Sequence, residues 1–105
     1  MKSISVEQLH AWRQDNVEHT LIDIREPYER EVSHIDGEHI PMADIPAHVE
    51  HLPKTHPVVI HCRSGARSAA VTQALTTQLG MDNVHNLEGG IKAWAATFAP
   101  DMDVA

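Results

Sequence analysis

The residues that could do chemistry in this chain stand together in one short polar run from position 62 to position 68, Cys-Arg-Ser-Gly-Ala-Arg-Ser. A cysteine is a strong nucleophile once it is ionised to the thiolate. Glycine lets the backbone bend tightly around such a group, and arginine binds anions through paired hydrogen bonds. The run therefore predicts a thiolate nucleophile that attacks a small anionic substrate. Cys62 is the only cysteine, so an internal disulfide is impossible.

The position of this run in the predicted fold favours the same chemistry. It follows Val58-Val59-Ile60-His61, a continuous apolar stretch typical of a buried parallel strand, and precedes a helix that should begin near Arg67 or Ser68. A short strand–loop–helix turn directs main-chain amides inward and adds the unpaired amides of the helix start. These donors should lower the pKa of Cys62 and hold the outer sulfur of a persulfide formed on it.

The other residues of the run have candidate roles in binding. Arg63 and Arg67 are predicted to contact a doubly charged substrate, with ordinary surface charge as the alternative for each. Arg67 stands in the first helical turn, where a cation opposes the helix dipole, and this mild cost favours an anion-facing role. Ser64 either donates to a substrate oxygen or fills the turn. Gly65 and Ala66 shape the loop, and Ser68 either supports it as a helix cap or has no role.

The remaining chain alternates strands and helices, which predicts a single α/β domain over 1–105. Its centre should be a parallel sheet of about five short strands with helices on both faces. Residues before Ser5 are expected to lead directly into the first helix, which Ser5 and Gln8 open as a capping box. The predicted order is helix 6–16, strand 19–24, helix 27–32, an extended piece at 39–40, helix 43–52, strand 58–61, helix 68–79, strand 83–87 and a last helix from 89.

Composition limits the partners. Eight Lys and Arg stand against fifteen Asp and Glu, and a formal charge of −7 repels nucleic acid and anionic membrane surfaces. No stretch approaches the roughly 18 apolar residues of a membrane span, and no signal-like run opens the chain, so we expect a cytoplasmic protein. The nine histidines are scattered. His48 and His51 form the nearest approach to a ligand pair, and we expect a solvated surface position for the histidines and no metal.

Three segments together resemble the rhodanese-domain sulfurtransferases. The run from Cys62 to Ser68 is similar to the active loop of that family. The segment 21–26, followed by His34-Ile35-Asp36-Gly37 and Ile40-Pro41, resembles its N-terminal signature, and 87–94, Leu-Glu-Gly-Gly-Ile-Lys-Ala-Trp, resembles its C-terminal one. The signatures lie in the family's order across residues 20 to 95. Two departures occur, Ser33 where glycine is common and Glu38 where a small residue is usual, and both bear on access or specificity.

The resemblance implies a two-step sulfur transfer. The Cys62 thiolate attacks the outer sulfur of a donor such as thiosulfate and releases sulfite, and the persulfide then passes its sulfur to cyanide or a thiol. The acceptor thiol can belong to a protein such as thioredoxin, and no metal or organic cofactor is implied. Asp23 would support the loop by hydrogen bonding rather than act in catalysis. Arg25 is expected to pair with a surface carboxylate.

Three other functions compete with this interpretation. A cysteine phosphatase or arsenate reductase also places an arginine after its cysteine, but with five residues between them, whereas this chain has four, 63–66. A non-catalytic rhodanese-like binding module is a second alternative, although such relatives typically lack the cysteine. The third alternative is a sulfur-relay carrier that passes persulfide between protein partners. That carrier needs the same loop, so the sequence leaves it open.

Overall fold

Five strands form one sheet in the computed structural model, which describes residues 1–105. They are β1 (Lys2–Ile4), β2 (Thr20–Asp23), β3 (Glu38–His39), β4 (Val58–His61) and β5 (Val84–Leu87). Their order across the sheet is β1-β5-β4-β2-β3, and every neighbouring pair is parallel. The predicted α/β architecture around a parallel sheet of about five strands is confirmed. β4 occupies the centre, so the residues that follow it emerge at the middle of the carboxyl edge.

Helices cover both faces of the sheet. They are α1 (Val6–Gln14), α2 (Pro27–Val32), α3 (Ile45–His48), α4 (Ala66–Leu79) and α5 (Gly90–Phe98). Because side chains alternate along a strand, the apolar residues of β2 and β4 divide between two cores. One core contains α3 and α4 side chains with Ile22, Val58 and Ile60; the other contains α1 and α5 side chains with Leu21, Val59 and Leu87. The longest helix, α4, has 14 residues, and no helix is long and apolar enough to cross a bilayer.

The N-terminal prediction is wrong in one respect. Residues 2–4 do not lead directly into a helix but form β1, an edge strand that pairs Ile4 with Leu87 of β5. Ser5 then caps α1, and its hydroxyl accepts a hydrogen bond from the Gln8 amide at 3.1 Å. A three-residue edge strand leaves little periodicity, and its partner lies at the far end of the chain.

The predicted helix over 43–52 is broken into three short turns. A 3₁₀ turn at Met42–Asp44 precedes α3, and a second 3₁₀ turn at Val49–His51 follows it. Pro46 lies in the first turn of α3. Proline lacks an amide hydrogen, so a regular helix cannot continue through it from residue 43. The segment still buries Ile45 and Leu52 under α4.

The expectation that the histidines lie on a solvated surface is wrong for His61, which is fully buried at the end of β4. Its Nε2 atom has no hydrogen-bond partner. Burial lowers the pKa of His61 to about 4, although the nearby Asp23 carboxylate acts in the opposite direction. His61 is therefore a neutral core residue at physiological pH.

Candidate active site

Cys62 lies at the carboxyl end of β4, where its sulfur meets the start of α4. The Gly65 amide donates to Sγ at 3.2 Å and the Ser68 amide at 3.4 Å, while the Ser68 hydroxyl lies 3.3 Å from it. Cys62 is only 1% exposed. The sulfur is thus buried, yet the amides face it rather than solvent, as the sequence predicted. Two small residues of the loop that follows, Ser64 and Ala66, are exposed.

These contacts favour the ionised form of the sulfur. Burial raises the pKa of Cys62, but hydrogen bonds from the Ser68 hydroxyl and from the amides of Ser68, Gly65 and Ser64 lower it by more. The net result is a pKa below that of an ordinary thiol, in the predicted direction. A thiolate held by neutral donors in this way is an available nucleophile.

The backbone of α5 fixes the direction in which the loop amides point. The Ile91 amide donates to the Cys62 carbonyl, and the Lys92 amide donates to the Arg63 carbonyl, each at 3.0 Å. A trans peptide group is planar, with its N–H opposite its C=O, so the amides of Arg63 and Ser64 are directed away from α5. The Gly-Gly motif of the C-terminal signature therefore supports the active loop from behind.

Gly90 is required for that approach. A Cβ atom on it would lie 2.4 Å from the Cys62 carbonyl oxygen and 2.6 Å from that of Arg63. Gly90 also has a φ of 58°, which side-chain-bearing residues rarely adopt. Within the loop itself, Gly65 has a φ of 103° and turns the chain into α4. A Cβ atom there would meet the Gly89 amide nitrogen at 3.3 Å.

Asn86 of β5 is a site residue that the sequence analysis missed. The Ser68 hydroxyl donates to its Oδ1 at 2.5 Å, and Asn86 is buried. A hydroxyl has a single proton, so Ser68 can donate to Asn86 while it accepts from the Cys62 thiol, or turn and donate to the thiolate. The one signal in the sequence was a polar residue two positions after Val84, on the same face of a short strand.

Arg67 points to a protein carboxylate. Its two terminal nitrogens donate to the two oxygens of Glu29 at 2.7 and 2.8 Å, and Glu29 is buried in α2. The Arg67 hydrogen bonds lower the pKa of Glu29, and the Glu29 hydrogen bonds raise the pKa of Arg67, with a further contribution from the Cys62 thiolate. Arg67 therefore lies within electrostatic reach of the sulfur but already has a partner. Glu29 was also missed by the sequence analysis.

The prediction for Arg25 is wrong. Its side chain is fully buried and pairs not with a surface carboxylate but with Asp23, two residues earlier, at 3.0 Å through Nε and 2.9 Å through a terminal nitrogen. Asp23 also accepts from Arg30 at 3.4 Å. Burial raises the pKa of Asp23, but hydrogen bonds from Arg25 and favourable charge interactions with His61 and Arg25 together bring it below its ordinary value. Asp23 thus ties the end of β2 to α2, and its support of the active loop stays a prediction.

Arg63 contacts the last residue of the chain. Its Nε donates to the carbonyl oxygen of Ala105 at 2.9 Å. Both arginines that the sequence assigned to the substrate therefore have protein partners in this structure, and their contact with a substrate stays a prediction. No group of three or more His, Cys, Asp or Glu side chains is placed to hold a metal ion.

Comparisons with known proteins agree with this geometry. Residues 5–97 match the Rhodanese-like domain family. The chain is 42% identical to a sulfurtransferase of Allochromatium vinosum over 95% of this chain and 94% of that protein. It is 31% identical to the thiosulfate sulfurtransferase GlpE of Stutzerimonas stutzeri, over 97% of this chain and 92% of that protein.

Other similar proteins are longer or are known as structures. The chain is 37% identical to the probable adenylyltransferase/sulfurtransferase MoeZ of Mycobacterium tuberculosis, but it spans only 26% of that protein's length. A crystal structure of a rhodanese-like domain protein from Staphylococcus aureus superposes with a TM-score of 0.82 at 27% identity, covering 100% of this chain and 99% of that one. The match over 5–97, the parallel sheet and the amide-held cysteine lead to one conclusion: the chain belongs to the rhodanese-like domain family.

Proposed function

We propose that this domain is a sulfurtransferase that carries sulfane sulfur as a persulfide on Cys62. The main support for the proposal is the set of donors around Cys62 Sγ. Two amides and one hydroxyl lie within 3.4 Å of this sulfur, and the pKa of the Cys62 thiol is lowered. Two relatives that align with this chain over nearly their whole length are named as sulfurtransferases, and they support the same reaction class. A nest of neutral donors stabilises a thiolate, and it can equally stabilise the outer sulfur of a persulfide anion.

The proposed donor is thiosulfate or a similar anion. The Cys62 thiolate attacks its outer sulfur, a bond forms between Sγ and that sulfur, and the S–S bond of the donor breaks with its electrons leaving on sulfite. The similarity to GlpE supports thiosulfate as the donor. Cys62 is 1% exposed, so a donor has to approach its sulfur past the residues of the 63–67 loop.

In the second step an acceptor removes the sulfur. Cyanide or a thiolate, including a protein thiol such as that of thioredoxin, attacks the outer sulfur and regenerates the Cys62 thiolate. The chain has no second cysteine to attack the persulfide, so the adduct should persist until an acceptor arrives. A reducing compartment such as the cytoplasm suits a reactive thiol of this kind.

Intact-mass spectrometry tests the proposal. After incubation with thiosulfate the protein should gain one sulfur atom, cyanide should remove it, and the Cys62→Ser variant should gain none. Thr97→Ala, an exposed hydroxyl change on α5, serves as the matched control and should behave as the parent. Failure to gain sulfur at any pH where the thiol is ionised would contradict the proposal. Hydrolysis of a phosphate ester without sulfur gain would favour a phosphatase.

A further inference from the structure

The Ser68 hydroxyl lies between two partners inside the protein. It is 3.3 Å from Cys62 Sγ, and it donates to Asn86 Oδ1 at 2.5 Å. All three side chains are buried. Because a hydroxyl has a single proton, it donates at any moment either to the sulfur or to the carboxamide. Asn86 therefore competes with the sulfur for this proton.

The partner of this hydroxyl differs from those of other hydroxyls in the same helix. Thr76 and Thr77 of α4 donate to the main-chain carbonyls four residues earlier, at 2.8 and 2.9 Å. Ser68 instead donates across to β5, to a residue 18 positions later in the chain. Asn86 pairs in register with Ile60 of β4, and β4 leads directly into the active loop. The sheet therefore places a polar acceptor next to the sulfur, in a core that is otherwise largely apolar.

The hydroxyl is the donor whose direction Asn86 can control. The amides of Gly65 and Ser68 also donate to Sγ, at 3.2 and 3.4 Å, but a planar peptide group fixes the direction of its N–H. The Ser68 hydroxyl can turn about its C–O bond. Asn86 Nδ2 lies on the side of Gly65, where an added Cβ atom would be 3.9 Å away from it. The carboxamide is thus packed between the two residues that hold the sulfur.

The charge on Sγ changes during the proposed reaction. In the thiolate, Sγ is anionic and attracts the hydroxyl proton. In the persulfide the negative charge lies on the outer sulfur, and Sγ is an uncharged bridging atom, so Asn86 Oδ1 is the better acceptor. When an acceptor takes the outer sulfur, the S–S bond breaks and its electron pair returns to Sγ. The hydroxyl then turns back to Sγ, and no proton moves from one heavy atom to another.

We propose that Asn86 is a positioning residue that accepts the Ser68 proton while Sγ is uncharged and releases it to Sγ when the thiolate forms. The inference deepens the proposed function and rests on it for the persulfide stage. Asn86 stabilises the uncharged states of Sγ and so limits how far Ser68 stabilises the thiolate. Without this acceptor the hydroxyl should donate to the thiolate throughout, because a buried hydroxyl without an acceptor is costly.

The pH dependence of Cys62 alkylation by iodoacetamide tests this role, because it reports the thiolate and needs no sulfur donor. In Asn86→Leu, which removes the acceptor, the midpoint of the alkylation rate should move to lower pH. Below the midpoint, alkylation should become roughly twofold to fivefold faster, the size expected from one hydrogen bond. Ser68→Ala should move the midpoint to higher pH, and Asn86→Leu added to Ser68→Ala should change nothing further.

Asn83 provides the matched control for loss of a carboxamide. Its Nδ2 donates to the carbonyls of Pro53 and His56 at 2.8 Å each, away from the sulfur. Asn83→Leu should lower the stability of the domain and leave the alkylation midpoint as in the parent. An unchanged or higher midpoint in Asn86→Leu overturns the inference. An equal shift with and without the Ser68 hydroxyl also overturns it, because Asn86 would then act by another route.

Asn86→Asp decides the question if circular dichroism shows that Asn86→Leu is unfolded. A carboxylate only accepts, so it should retain the Ser68 proton and also repel the thiolate. The midpoint should move to higher pH, and by less when Ser68→Ala is added. A shift of the same size in both backgrounds, or no shift, contradicts the inference.

The proposed function has a separate readout, which is sulfur gain from thiosulfate by the parent protein. Sulfur gain with an unmoved midpoint in Asn86→Leu would remove the role of Asn86 and leave the function. A midpoint that moves to lower pH without sulfur gain in the parent would leave Asn86 in control of the thiolate and remove the function.

Discussion

On its α5 side the active loop is held by main-chain hydrogen bonds, whereas on its α2 side it is held by charged side chains. The first side consists of the Ile91 and Lys92 amides that donate to the loop carbonyls, with Gly90 between them. The second consists of the Arg67–Glu29 pair, next to the buried Asp23–Arg25 pair. The same loop thus depends on two different kinds of interaction.

This difference determines which kind of change disrupts the contacts on each side of the loop. The α5 side depends on a close approach of two backbones, so it is sensitive to added volume and insensitive to pH. The α2 side depends on balanced charge in a buried place, so it is sensitive to any change that leaves one charge alone. Four changes, from the largest expected effect to the smallest, separate the two sides.

Asp23→Asn should have the largest effect, because it leaves the fully buried Arg25 without its anion. Removal of one partner of a buried ion pair costs about 3–5 kcal/mol, and we expect a loss of that size in the free energy of unfolding measured with urea. The matched control is Asp101→Asn. Asp101 is exposed and unpaired, so this substitution should change the free energy of unfolding by about 0.5 kcal/mol or less. A loss below about 1 kcal/mol in Asp23→Asn would show that the pair is not a supporting element.

Gly90→Ala tests the α5 side. Its Cβ would lie 2.4 Å from the Cys62 carbonyl and force the loop away from α5. We expect a loss of about 2–4 kcal/mol in stability together with slower sulfur gain by intact mass. Gly80→Ala is the control, since Gly80 has a similar φ of 65° and open space around it, and should cost only the conformational strain. Equal losses in the two variants would mean that the close approach is unimportant.

Mild acid should lower the stability of the domain through His61, which is buried in β4 and lies close enough to Asp23 of the charged side to feel its charge. The pKa of His61 is about 4 in the folded protein against 6.5 when unfolded, so the unfolded state takes up a proton first as the pH falls. Its contribution is complete above pH 6.5 and is lost as the pH falls towards 4. We expect about 2 kcal/mol less stability at pH 5 than at pH 7, from urea unfolding at each pH. The pKa of Asp23 is lowered, so its contribution to the stability of the fold is lost only at still lower pH.

Two variants locate that pH dependence. His61→Asn should flatten the curve between pH 7 and pH 5, whereas His34→Asn, an exposed histidine, should leave it as in the parent. A curve that stays equally steep in His61→Asn would assign the dependence to other groups.

Ser68→Ala should have the smallest effect and act on the sulfur itself. The variant removes the hydroxyl 3.3 Å from Sγ while the amides of Gly65 and Ser68 remain. The pKa of Cys62 should rise, and alkylation by iodoacetamide at neutral pH should become severalfold slower. Ser64→Ala removes an exposed hydroxyl in the same loop and should leave the alkylation rate unchanged. If the two variants alkylate at equal rates, the hydroxyl does not stabilise the thiolate.

The sequence predicted what is local in the chain. The strand 58–61, the turn and the following helix are contiguous, and their apolar run and glycine position predict the amide donors around the sulfur. The direction of the Cys62 pKa change followed from the same geometry. Interactions between distant segments were not predictable in this way. The Arg67–Glu29 pair joins positions 38 residues apart, and Ser68–Asn86 joins positions 18 apart.

Burial was the second quantity that the sequence did not reveal. Arg25 and Asp23 are close in sequence, but no pattern distinguishes an arginine inside a core from one on a surface. His61 ends an apolar strand, which was a signal for burial that the even scatter of nine histidines obscured. The contacts of residues 103 and 105 with Ser33 and Arg63 were not predicted, because they depend on where α5 ends in space.

The parallel pairing of β1 with β5 has a consequence for synthesis on the ribosome. Cys62 is translated well before Asn86, Ile91 and Lys92, which complete the surroundings of its sulfur, and before the strand that holds the N-terminus. A nascent chain that has reached only position 80 therefore carries the thiol and its donors Gly65 and Ser68, but lacks the residues that hold these donors in place. The loop should therefore reach its final shape around the sulfur only when nearly the whole domain has emerged, so full activation of the cysteine is delayed until synthesis is almost complete.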